Sequence, residues 1–230
     1  LGDYPHFMLK EIHEQAQSLQ HCISGRLRHA EGTSVLGGLQ IEPHNLAQLP
    51  HIRLIGCGTA LHAAQIGQIL IEQWARIPAV SHVASEFNAN DPVINPDALH
   101  LAISQSGETA DTLSAVKEIQ RKGADVYGVV NVVGSTIARQ CGKGVYIHSG
   151  PEQSVASTKA FTNMVGALAL FSLQLGRSRH LSKTKGKSIA REMRKLPEKI
   201  RSYLENPGPI DEAVELVMQS KSVLFLGRGI

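Results

Sequence analysis

Five short apolar runs separated by helical patterns restrict this chain to one class of architecture: His51–Ile55, Pro78–Val83, Ala98–Ile103, Val126–Asn131 and Gly144–His148, with a polar connection after the second. The runs are nearly continuous in apolar residues rather than alternating, which marks strands buried on both faces. Such strands separated by helices imply an α/β protein, a three-layer αβα sandwich with a five-stranded parallel sheet. The common doubly wound, flavodoxin-like order for five strands is 2-1-3-4-5. That order makes strands one and three neighbours at the topological switch point, and ligands bind there, outside the carboxyl ends of the strands.

The loops at those two carboxyl ends are also the two that composition singles out. After the first strand comes Gly56-Cys57-Gly58-Thr59, with a helix expected from about Ala60 through Trp74. It lacks the third glycine of a dinucleotide fingerprint, so a Rossmann cofactor site is rejected and no cofactor is expected. After the third strand comes Ser104-Gln105-Ser106-Gly107-Glu108-Thr109, and Leu113, Val116 and Ile119 then recur at helical spacing. The first N–H groups of a helix have no intrahelical partners, and its dipole favours negative charge there. Ser104, Ser106 and Thr109 add hydroxyls, Gln105 adds an amide, and Gly107 permits close approach of a ligand. With no Lys or Arg in the loop, neutral dipoles would hold a phosphate. The plain alternative is a capped βα turn without a ligand; the coincidence of composition with topology favours the site.

The remaining chain frames this unit. Leu9, Ile12, Ala16, Leu19, Ile23 and Leu27 predict an amphipathic helix over 6–28. After the fifth strand, Ser149–Thr158 offers hydroxyls at Ser154, Ser157 and Thr158, where a helix N-cap is the simplest reading. A helix over 159–175, closed by Gly176, is apolar nearly all round and belongs in the core or at a subunit contact. Residues 177–205 are basic, with an apolar stripe, and Pro197 is expected to kink or restart that helix. The basic strip has no aromatic interleaving and no recognition motif, so it reads as a solvated face, and no nucleic acid is expected. Asn206-Pro-Gly-Pro209 reads as a linker, followed by a helix over 210–218 and a strand over 222–226 that open another lobe.

Composition narrows the setting. At 42% hydrophobic and 19% charged residues, with a net charge of +3, the chain is an ordinary globular one. Cys22, Cys57 and Cys141 show neither metal nor redox spacing, which suggests a reducing, cytoplasmic location and no metal site. No leader pattern is visible, and the run 160–175 is broken by polar residues and is short for a span, so no membrane association is expected. The chain begins with Leu1 and stops just after an apolar run, and it reads as a fragment.

Several motifs recur in order with those of a known family: Cys57-Gly-Thr59, Ser85-Glu-Phe87, Ser104 to Thr112, Val155 to Phe161, and Phe225-Leu-Gly-Arg-Gly229. Together they resemble the isomerase part of the glutamine–fructose-6-phosphate aminotransferase (isomerising) family, over almost the whole chain. The resemblance implies an N-terminal helical segment at 1–45, a first sugar isomerase domain at 46–205 and the start of a truncated second one at 206–230. It implies that Ser104, Gln105, Ser106 and Thr109 grip the phosphate of fructose 6-phosphate or glucosamine 6-phosphate. Cys57, Gly58, Thr59, Val155 and Ser157 would line the sugar. In this family ammonia is added at C2 of fructose 6-phosphate and the imine is isomerised to glucosamine 6-phosphate. The Glu, Lys and His that move protons lie in the second lobe, beyond Ile230, so this chain is expected to bind without full catalysis. Inside it, the carboxylates weighed for proton transfer are Glu108, Glu152 and Glu86, with Glu108 expected to meet backbone donors or another lobe. The family works as a dimer, so a homodimer is implied. The family often has Ser where this chain has Ala60. A related sugar isomerase-domain deglycase or amino-sugar isomerase, and a sugar-phosphate-sensing regulator, are the alternatives.

Overall fold

The structure, a computed structural model, describes residues 1–229. The chain opens with helices α1 (Phe7–His13) and α2 (Gln15–Ile23), then an antiparallel ribbon of β1 (Leu27–Arg28) and β2 (Thr33–Ser34). After a 3-10 turn and α3 (Pro43–Gln48) the alternation begins. It runs β3 (Ile52–Gly56), α4 (Thr59–Ala75), β4 (Ala79–Val83), α5 (Ala84–Phe87), β5 (Leu99–Ser104) and α6 (Ala110–Arg121). It continues through β6 (Val126–Val130), α7 (Thr136–Cys141) and β7 (Gly144–Tyr146). Then come α8 (Lys159–Arg179), α9 (Lys183–Glu205) and α10 (Ile210–Met218).

The five runs form one parallel sheet in the order β4-β3-β5-β6-β7, which is the expected 2-1-3-4-5. Every residue of β5 and β6 is buried, whereas the edge strands β4 and β7 are partly open. The alternation of side chains splits the core in two. Leu54, Leu101, Ile103 and Val129 share one cluster with residues of α4 and α8. Ile55, Ala102 and Val130 share the other with Val116 and Ile119 of α6 and Ile137 of α7. Burying both faces is what makes a parallel sheet of near-continuous apolar strands stable.

Helix α8 resolves the choice left open by its composition. It is packed by α4, α2, α3 and β2 of its own chain, with Met164, Leu168, Leu170, Phe171, Leu173 and Leu175 buried. Its apolar surface is satisfied internally and carries no argument for a second subunit.

Four expectations need correction. The first helix does not run to residue 28. Glu14 divides it, and α2 ends at Ile23 because Arg26 turns back and donates to the Cys22 carbonyl (3.0 Å) and to that of Tyr146 (2.7 Å). Leu27 therefore sits in the ribbon. Second, α8 continues through Gly176 to Arg179. Gly176 lies where α8 crosses the end of α4, and a Cβ there would stand 2.7 Å from the Trp74 carbonyl oxygen. The glycine permits a close crossing rather than stopping the helix. Third, α9 does not restart at Pro197 but runs through it as one helix. Gly186, Ala190, Met193 and Pro197 form its buried face, so packing offsets the lost N–H. Fourth, 222–226 form no strand, and Leu224, Phe225 and Leu226 stand exposed. A strand needs a neighbour to pair its backbone groups, and this segment joins neither edge of the sheet. Residue 230 lies outside the described residues.

Candidate functional site

Because β3 and β5 are hydrogen-bonded neighbours, the loops that follow them leave the sheet side by side. Helix α4 starts at Thr59 directly after Gly58, whose φ of 54° and ψ of −128° suit glycine. Helix α6 starts at Ala110, with Thr109 as its N-cap residue. The N–H groups of Ala110, Asp111 and Thr112 precede the first helical bond, from Leu113 N–H to the Thr109 carbonyl (2.9 Å).

Inside the 104–109 loop the hydroxyls organise the backbone. Ser104, 2% exposed, accepts the Gly107 N–H (3.0 Å) and pairs with the Thr109 hydroxyl (3.0 Å). Ser106 accepts the Glu108 N–H (3.1 Å). Gly107 has φ +67°, and a Cβ on it would come within 2.0 Å of the Ser135 hydroxyl oxygen. The loop thus needs glycine there for both its conformation and its closeness to Ser135.

Its acceptors face the other way, onto the stretch after β6. The Gln105 carbonyl accepts the Asn131 N–H (3.3 Å), and the Gly107 carbonyl accepts the Ile137 N–H (2.9 Å). The Glu108 carboxylate accepts the Thr136 N–H at the start of α7 (2.7 Å). Thr136, through its side chain and its N–H, with help from the Arg139 guanidinium, holds the Glu108 carboxyl below the usual carboxylate range. With acceptors and carboxylate turned toward 131–137, the groups left to a ligand are mainly donors: the α6 N–H groups, the Ser106 and Thr109 hydroxyls and the Gln105 amide. Gln105, Ser106 and Thr109 are half-buried. The loop is chemically matched to a doubly charged oxyanion.

The 149–158 stretch is held by one carboxylate of its own, Glu152, and by one from α1. Glu152 accepts the Ser157 hydroxyl (3.0 Å) and the N–H groups of Thr158 (2.9 Å) and Ala160 (3.1 Å). Glu152 thus takes up the free N–H groups at the start of α8, whose N-cap position is Thr158; the sequence points instead to the hydroxyls of Ser154, Ser157 or Thr158 for that role. Glu86 stands on α5 beside Arg53 and His82, lining a cavity of about 310 Å³. Val155 is fully exposed at the crest of the 149–158 stretch, and Ser157 is half-buried. Cys57 and Thr59 are half-buried and Gly58 is exposed.

Sequence reasoning passed over Glu11. This α1 carboxylate is buried and accepts the N–H groups of Gln153 (2.6 Å) and Ser154 (3.2 Å), and the Ser154 hydroxyl. Burial opposes its charge, but those donors and the Lys159 ammonium outweigh it and hold the pKa low. Lys159, also buried, pairs with Glu14 at 2.5 Å. The available signal was an acid beside Ile12, inside the apolar stripe of the first helix. Among the described residues, no three His, Cys, Asp or Glu side chains gather as a metal ligand set, and no helix is long and apolar enough to cross a membrane.

The SIS domain profile matches residues 45–173. The chain is similar to glutamine–fructose-6-phosphate aminotransferase [isomerizing] of Thermus thermophilus, with 45% identity over 230 residues, 100% of this chain and 37% of that protein. It is similar to the protein of the same name from Chlorobaculum tepidum, 43% identical over 99% of this chain and 37% of the relative. The chain therefore spans little more than a third of the length of these curated relatives. Among solved structures it is similar to the C-terminal domain of glucosamine-fructose-6-phosphate aminotransferase from Francisella tularensis. That match has a TM-score of 0.87 and 29% identity, covering 95% of this chain and 61% of the other.

Proposed function

The chain belongs to the SIS domain family, and we propose that it is the sugar-phosphate-binding part of an enzyme making glucosamine 6-phosphate from fructose 6-phosphate and glutamine. The observation that carries this reading is the 104–109 loop at the switch point. The Gln105 and Gly107 carbonyls and the one acid of the loop are taken up by 131–137, which leaves the Ser106 hydroxyl, the Gln105 amide and the first α6 N–H groups toward a ligand. The identity to the aminotransferases over the full chain supports the choice of parent enzyme.

In this reading the Ser106 and Thr109 hydroxyls, the Gln105 amide and the first α6 N–H groups bind the phosphate; Ser104, expected among them, is buried and bonded to Gly107 and Thr109, so it holds their shape from below instead. The sugar extends toward Cys57, Gly58 and Thr59 on one side and Val155 and Ser157 on the other. The isomerisation moves a proton between C1 and C2 and needs a base within hydrogen-bond reach of those carbons. Glu108 and Glu152 are committed to the N-termini of α7 and α8, so neither is that base. The division into a helical segment (1–45), a first sugar isomerase domain (46–205) and the start of a second (206–230) belongs to the same proposal. So do a cytoplasmic location and a homodimer.

Titration calorimetry with fructose 6-phosphate, glucosamine 6-phosphate and fructose tests the reading. The two phosphate esters should bind and fructose should not. Equal heats for fructose and its phosphate ester would sink it.

A further inference from the structure

We infer that Asn131 is a positioning residue that ties the phosphate loop to the stretch carrying Val155 and Ser157, and so fixes the distance between the two halves of the sugar-phosphate site. The inference rests on the function proposed above. Asn131 follows β6 directly, and three of its groups are engaged in two directions. Its backbone N–H donates to the Gln105 carbonyl (3.3 Å), on the phosphate loop. Its side-chain oxygen accepts the Ser149 N–H (2.8 Å), and its side-chain nitrogen donates to the Gly150 carbonyl (2.8 Å).

Ser149 and Gly150 begin the stretch that leads to Glu152, Val155 and Ser157. From Gly150 onward that stretch is held to α1 by Glu11 and to the start of α8 by Glu152. Neither of those carboxylates touches the phosphate loop. Asn131 is the residue that bonds to both segments, using the planar amide as a two-point clip on one of them. A carboxylate in its place lacks the donor for Gly150, and an alkyl side chain lacks both groups. The amide is half-buried, so its bonds are partly shielded from competing water.

A residue that sets the spacing between two subsites affects a ligand spanning both and leaves a ligand of one subsite alone. This separates positioning from general support of the fold. The test is calorimetry on the whole 230-residue chain and its Asn131→Ala variant, each titrated with inorganic phosphate and with fructose 6-phosphate. The backbone N–H to Gln105 survives the substitution, so phosphate should bind both proteins equally. Fructose 6-phosphate should bind the variant at least about fivefold more weakly, the effect of losing well-formed hydrogen bonds. Unchanged affinity for fructose 6-phosphate overturns the inference. So does an equal loss for both ligands, which would make Asn131 a support of the phosphate loop alone. If the Asn131→Ala chain shows no cooperative thermal transition, Asn131→Ser, which leaves a hydroxyl near Ser149, takes its place under the same criteria. Failure of the unmodified chain to bind fructose 6-phosphate is a different result: it overturns the proposed function itself.

Discussion

At the scale of single residues, the hydroxyls of the 104–109 loop divide by burial. Ser104 is spent on Gly107 and Thr109, whereas Ser106 and Thr109 are open enough to meet a ligand. Ser106→Ala and Thr109→Ala are each expected to weaken fructose 6-phosphate binding by roughly 1–3 kcal/mol, the range for a hydrogen bond to a charged group. Isothermal titration of each variant checks this; wild-type affinity in both would remove them from the site. A second residue acts on stability. His100, the second residue of β5, is wholly buried, and burial above all, with the charges of Arg53 and His51, pushes its pKa down to about 4. The unfolded chain binds that proton at the ordinary pKa near 6.5, so between about 6.5 and 4 it holds more proton than the native state. Stability should therefore fall as pH drops through that window, by on the order of 2–3 kcal/mol. Urea unfolding of wild type and His100→Leu at pH 7 and pH 4.5 measures it. The variant should lose less stability on acidification than wild type, and parallel losses would assign the effect to other groups.

Helices, taken as units, are placed in this protein by carboxylates that precede them. Glu108 holds the start of α7, and Glu152 the start of α8. Neither is the cap residue itself, so a search for Ser, Thr, Asp or Asn at the first position misses them. Glu152→Ala should lower stability by about 1–2 kcal/mol, as loss of a helix cap does, with Glu152→Gln losing less because its amide oxygen still accepts. Thermal melts of the two variants decide the point; a larger loss in Glu152→Gln would contradict a capping role. The end of α2 is also set by a long-range partner, since Arg26 donates to the Tyr146 carbonyl as well as to that of Cys22.

Across the whole molecule, the αβα sandwich exposes only scattered apolar side chains such as Val93, Val133 and Val155, and the longest exposed apolar run lies outside it. Leu216, Met218, Leu224, Phe225 and Leu226 stand exposed on α10 and the segment after it. Exposed apolar patches of this kind promote association. Sedimentation should show the chain self-associating as concentration rises, with a version cut at Asn206 shifted toward monomer; a concentrated, monodisperse monomer of the uncut chain would count against it. The chain by itself is also expected to leave fructose 6-phosphate unconverted, with or without ammonium, because Glu108 and Glu152 are engaged at helix N-termini and Glu86 lines a separate cavity with Arg53 and His82. Formation of glucosamine 6-phosphate or glucose 6-phosphate by the purified chain would refute that.

The sheet was readable from sequence because its information is local and redundant. Buried strands must be apolar on both faces, the loops between them carry Gly and hydroxyl residues, and five parallel strands have few ways to be ordered. The switch point, and with it the pairing of the Cys57–Thr59 and Ser104–Thr109 loops, followed from that alone. Tertiary structure decided what depends on a partner distant in the chain. It turned Glu152 from a candidate base into a cap, placed Glu11 against Ser154 across 143 residues, and buried α8 within its own chain. It also denied 222–226 a strand to pair with. The physical reason is the same in each case. A hydrogen bond or a strand pairing is a property of two groups brought together by the fold, and the pattern of residues around either one alone does not contain it.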